Sequence, residues 1–90
     1  MTQAAPTDPA LRQVAILATD GVINSTVTQA RDFFHMASLR QGRHQGLGLR
    51  PAFQTLTVSP DGATVTAFSE ERIATDSSLE AAQPELIVLP

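Results

Sequence analysis

The chain is expected to form the N-terminal half of an α/β domain with a central parallel sheet. Three observations predict this. Two continuous apolar runs, Val14-Ala15-Ile16-Leu17-Ala18 and Leu86-Ile87-Val88-Leu89, have the character of strands buried on both faces. Between them lies a segment of helical period, followed by one of strand period. The last run stops at Pro90 with no helix after it to cover the strand, and a buried-type strand with a bare edge calls for more protein.

The elements follow in order. Residues 1–12 contain two prolines among small polar residues and lack apolar periodicity, so they are expected to be a flexible leader, and residues 13–90 to be the partial domain. The first apolar run ends at Thr19-Asp20-Gly21. From about Ser25 to Arg40, Val27, Ala30, Phe34 and Ala37 recur at three and four residues, with Phe33 and Met36 widening the stripe; this predicts an amphipathic helix. Asn24, Ser25 and Thr26 are good caps, Thr26 with Gln29 has capping-box spacing, and Gly42 is expected just beyond the helix end. Gly42, Gly46 and Gly48 then predict a loop over residues 41–51.

Phe53-Gln54-Thr55-Leu56-Thr57-Val58 alternates apolar and polar residues and reads as a strand, closed by the turn sequence Ser59-Pro60-Asp61-Gly62. Residues 64–68 and 72–75 alternate again and predict a β-ribbon excursion. Thr75-Asp76-Ser77-Ser78 is expected to cap a short turn of helix through Ala82, before Pro84 extends the chain. Strand, helix, strand, ribbon, strand is the order of an α/β unit with right-handed crossovers and the first strand in the middle.

Composition narrows the function. Of the 90 residues 42% are hydrophobic and 17% charged, as in a globular protein. A net charge of −3 argues against a surface that neutralises many phosphates, so these residues are not expected to grip DNA themselves. There is no cysteine, which removes thiolate chemistry from this segment. No signal sequence or membrane-length apolar run is present, and a cytoplasmic location is the default expectation.

Candidate sites are few. In open parallel sheets ligands bind beyond the carboxyl ends of the strands, which places Asp20, Gly21, Asn24 and Thr26 on the appropriate side as weak ligand-binding candidates. The same residues suit a strand-to-helix turn and a helix cap, and that structural reading is favoured. Arg40, Arg43 and Arg50 gather around His44, where a solvated loop is favoured over an anion site. His35 and His44 share no metal spacing, and no metal or cofactor is expected. Ser25, Thr26 and Ser59 lack the G-x-S-x-G elbow. The adjacent Glu70 and Glu71 are expected to be solvated, with no paired-carboxylate chemistry.

Val14-Ala15-Ile16-Leu17 running into Asp20-Gly21-Val22, then Arg31-Asp32-Phe33-Phe34, Leu56 through Val65 around Ser59-Pro60-Asp61-Gly62, Ile73 through Leu79 and Pro84-Glu85-Leu86-Ile87-Val88-Leu89-Pro90 together resemble one known group. This is the class I glutamine amidotransferase-like superfamily, in its ThiJ/PfpI branch, and most nearly the N-terminal domains of AraC-type transcriptional regulators. The likeness covers nearly all of the chain from Gln13 and rests on order and spacing. It implies a flavodoxin-like three-layer parallel sheet, of which this is the N-terminal half.

Catalytic members of that superfamily carry a nucleophilic cysteine on a turn after the last of these strands, and often an acid near the start of the first helix. Here Thr26 aligns with that acid and cannot act as a carboxylate. The resemblance therefore implies a non-catalytic sensor or dimerisation segment, not an enzyme. It would act as a homodimer, would respond to a small-molecule effector, and would reach DNA only through a downstream segment. The alternative it leaves open is the N-terminal half of a ThiJ/PfpI-type hydrolase or glyoxal-handling enzyme. A third reading is a complete short product that pairs residues 86–89 with a second copy.

Overall fold

The computed structural model describes residues 11–48 and 50–90. Of the expected leader, residues 1–10 lie outside the described residues, and Arg12 already opens the first strand. The strands are β1 (Arg12–Leu17), β2 (Phe53–Ser59), β3 (Val65–Thr66), β4 (Arg72–Ile73), β5 (Ser77–Ser78) and β6 (Leu86–Val88). One helix, α1 (Asn24–His44), joins β1 to β2.

Four strands form a parallel sheet in the order β5-β2-β1-β6, so the first strand is central, as its apolar run predicts. In β1 the residues alternate between two packing faces. Val14, Ile16 and Ala18 meet Val27, Ala30 and Phe34 of α1, together with Val65 and Ile73 of the ribbon. Ala15 packs on the opposite face with Leu56, Val58, Leu17, Leu79 and Ala82. Ile16 and Val58 are fully buried, and each such side chain contributes about 1.5–3 kcal/mol of transfer free energy.

The sheet therefore has a helix on one face, and residues 79–82 lie over part of the other. Three full layers are not present among the described residues. β6 also differs from the expected buried strand. It lies at the sheet edge beside β1, with Leu86 48% and Ile87 45% exposed. Gln13 holds it there: its carbonyl accepts from Glu85 N at 2.9 Å and its Oε1 from Gln83 N at 3.0 Å. The Arg12–Glu85 ion pair at 3.4 Å is solvent-exposed and adds little.

Three local expectations are corrected. The capping box does not form: the N-cap is Ile23, and Thr26 turns its hydroxyl back to the Ile23 carbonyl. The helix runs one turn beyond Arg40 and contains Gly42, which is buried because the backbone of Arg50 and Ala52 crosses it at close range. A Cβ there would run into the Arg50 carbonyl oxygen, so this glycine serves a close approach instead of a helix stop. Ser38 fixes the same crossing, for its buried hydroxyl donates to Phe53 O and accepts from Phe53 N at 2.9 Å.

Residues 75–82 also depart from the expected helix cap and turn. Ser77 and Ser78 pair with Val58 and Ser59 as an edge strand, because Asp76 bridges to β2 from both its amide and its carboxylate: Asp76 N donates to Thr57 O at 2.7 Å and Thr57 N to Asp76 Oδ2 at 2.8 Å. Only one turn follows, with Ser78 Oγ accepting from Ala81 N. The expected ribbon is present in shorter form, β3 and β4 pairing antiparallel with Val65 opposite Ile73.

Candidate functional site at the strand carboxyl ends

Three chain segments meet where β1 and β2 end: the turn after β1, the start of α1, and the β3-β4 ribbon. Asp20 Oδ1 accepts from Thr66 N at 3.0 Å, and Gly21 N donates to Thr66 O at 2.8 Å. Gly21 has φ of +88°, a conformation that favours glycine and turns its amide to the ribbon. One step on, Phe68 N donates to Val22 O at 2.8 Å, which continues the attachment.

Asn24 and Glu71 close the junction. Asn24 Nδ2 donates to Glu71 Oε1 at 3.0 Å, and Ser69 Oγ donates to the same oxygen at 2.9 Å. Glu71, read from sequence as a solvated residue, is exposed but engaged. Glu70 beside it sits at the ribbon tip with φ of +71°, a strained position for a side-chain-bearing residue.

An open cleft of about 410 Å³ lies beside this junction, between the ends of β1 and β2. Thr19, Asp20, Ser59, Asp61 and Thr64 are the polar residues that line it. Several of those groups are already engaged: Ser59 Oγ donates to Ala63 O at 2.9 Å, and Asp61 Oδ1 accepts from Ala63 N at 3.0 Å. Asp20 and Asp61 are its charged lining residues, and among the described residues no cationic side chain lines it.

Of the four candidates, the structure brings Asp20, Gly21 and Asn24 together against the ribbon. Thr26 is turned onto its own helix, its hydroxyl 2.6 Å from Ile23 O. Asp20 alone of the four lines the cleft. No sequence signal assigns Ser59, Asp61 and Thr64 to a cleft, although the Ser-Pro-Asp-Gly turn signal marks where the chain folds back.

At the other end of α1, Arg40, Arg43 and His44 line a separate cleft of about 200 Å³. Arg50 does not line this cleft; its Nε donates to Leu47 O at 3.2 Å. Arg43 and His44 occupy the last helical turn, where the Arg43 guanidinium offsets the negative end of the helix dipole. That electrostatic role accounts for Arg43 without an anion. Among the described residues, no group of three His, Cys, Asp or Glu side chains is arranged to hold a metal ion, and no helix is long and apolar enough to cross a membrane.

Comparison of the chain with family models, curated proteins and solved structures finds no match to any of them.

Proposed function

We propose that the chain is the sensor and dimerisation segment of an AraC-type transcriptional regulator, without catalytic activity of its own. The observation that carries the proposal is the use made of the start of α1. At the position aligned with the catalytic acid of related enzymes, Thr26 offers a neutral hydroxyl that already donates to Ile23 O. Around it Asp20, Gly21 and Asn24 tie β1 and α1 to the ribbon, so this end of the sheet is assembled as a junction. Strand order β2-β1-β6 is also the order in which a flavodoxin-like sheet begins.

In this reading a small-molecule effector bound near Asp20 would be felt by three segments at once, because the β1 turn, the helix start and the ribbon share hydrogen bonds there. That is the physical requirement for a sensor: a ligand must contact groups whose relative placement differs between two states. The test is the coding sequence that follows the codon for Pro90. Two helix-turn-helix units are expected downstream of the remaining α/β strands. A cysteine on a tight strand-to-helix turn with no DNA-binding segment after it would overturn the proposal in favour of a ThiJ/PfpI-type enzyme.

A further inference from the structure

The outer face of α1 carries a pattern that none of the other described residues covers. Phe33 and Met36 are 66% and 62% exposed on a helix whose other apolar residues turn inward. Phe33 makes an edge-to-face contact with Phe34, ring centroids 5.3 Å apart at 90°. Beside them a groove of about 380 Å³ runs along the helix flank, walled by Phe33, Met36, Ala37, Arg40, Gln41 and His44.

Charges are placed about this apolar centre with opposite signs. Asp32 lies four residues before Met36 and Arg40 four residues after it, so all three share one stripe of the helix surface. Both charged side chains are exposed, and neither makes an ion pair within the described residues.

From this arrangement we infer that α1 docks on α1 of a second copy, antiparallel, with a two-fold axis passing at Met36. Such an axis relates residue 36 − n of one copy to residue 36 + n of the other. Asp32 then meets Arg40 of the second copy and Arg40 meets its Asp32, giving two ion pairs by symmetry. The two Met36 side chains meet at the axis, and Phe33 enters the groove beside the other Met36, a sulfur–aromatic contact. Arg43 falls opposite Gln29, an uncharged acceptor. Parallel pairing would instead set Arg40 against Arg40 and Arg43 against Arg43, so charge alone selects the antiparallel arrangement. The interface is isologous, as a closed dimer requires.

This assignment rests on the dimerisation reading above and names the surface for it. Sedimentation velocity of the chain, over a concentration series reaching ~1 mM, should show reversible dimerisation. Asp32→Arg alone, or Arg40→Asp alone, should weaken the dimer by about tenfold or more, while the double swap restores it. Circular dichroism should be unchanged in all three, because both positions are exposed. Since the chain has no cysteine, single replacements report geometry directly. Met36→Cys should cross-link readily. Arg43→Cys should not, because the antiparallel axis sets the two copies of that residue 14 helical positions apart, about 21 Å.

Equal cross-linking at both positions would mean parallel packing and overturn the inference. A dimer unmoved by the charge swaps but lost on Ile87→Lys would place the interface on the β6 edge, refuting the helix pairing while leaving dimerisation intact. A monomer throughout the series would refute both.

Discussion

Replacing Gly42 by alanine sets two effects of known sign against each other. In an exposed helix interior the change is favourable by about 1 kcal/mol, because glycine loses the most backbone freedom on folding. At this position the added Cβ would overlap the Arg50 carbonyl oxygen, and would lie 3.2 Å from its carbonyl carbon and 3.4 Å from Ala52 N. Those atoms are backbone, so no side-chain rotation can relieve the overlap. Moving them also loosens the Ala52 N to Ser38 O bond at 3.0 Å and the paired Ser38–Phe53 bonds that start β2. Overpacking in a fixed site costs about 1–3 kcal/mol, and disturbing a buried hydrogen bond adds about 1 kcal/mol. The net effect is a destabilisation of about 1–3 kcal/mol, or a fall in Tm of roughly 5–15 °C for a domain of this size. Thermal unfolding followed by far-UV circular dichroism measures it, with the exposed neighbour change Gln41→Ala as a control expected to move Tm little. A Gly42→Ala variant as stable as the parent, or more so, would refute the close-approach argument and restore Gly42 to the role of an ordinary helix residue.

Other substitutions probe separate parts of the fold by the same measurement. Thr57 is fully buried and its hydroxyl has no hydrogen-bond partner among the described residues, so Thr57→Val, nearly equal in shape, is expected to stabilise by about 1 kcal/mol; a loss of stability would show that the hydroxyl is satisfied. Ser38→Ala removes a donor and an acceptor at the start of β2, with an expected cost of about 2 kcal/mol, and a change under ~0.5 kcal/mol would contradict the crossing described here. Glu70→Gly should stabilise by about 0.5–1 kcal/mol, since glycine adopts a φ of +71° without strain; a destabilised variant would mean that the Glu70 side chain makes a contact worth more than the strain.

The parts of the fold legible in the sequence are those decided by local patterning. A continuous apolar run placed β1 at the sheet centre, alternation placed β2, and period-three-and-four spacing placed α1. The residues read less well are those whose partners lie far along the chain. Asn24 looked like a cap, but its amide is taken by Glu71, 47 positions away. Gly42 looked like a stop, but its environment is made by residues 50 and 52. Residues 77–78 had helix-cap chemistry and became an edge strand because Asp76 engages Thr57, 19 positions upstream.

The candidate site shows the same division. Asp20 and Gly21 were marked by their place at the end of a central strand, and the general rule for parallel sheets put them on the ligand-facing side. Thr66 and Ser69 carry no signal of their own and Glu71 reads as a solvated residue, because the ribbon's docking on the start of α1 depends on tertiary contacts that no local spacing encodes.

The central structural claim is a parallel sheet with β1 between β2 and β6, and inter-strand nuclear Overhauser effects on the isotope-labelled chain test it most directly. Ala15 should show contacts to the backbone protons around both Leu56 and Ile87, its neighbours in the two registers. Contacts from Ala15 to only one of these strands, or a pattern of close Hα–Hα pairs marking antiparallel strands, would contradict the account.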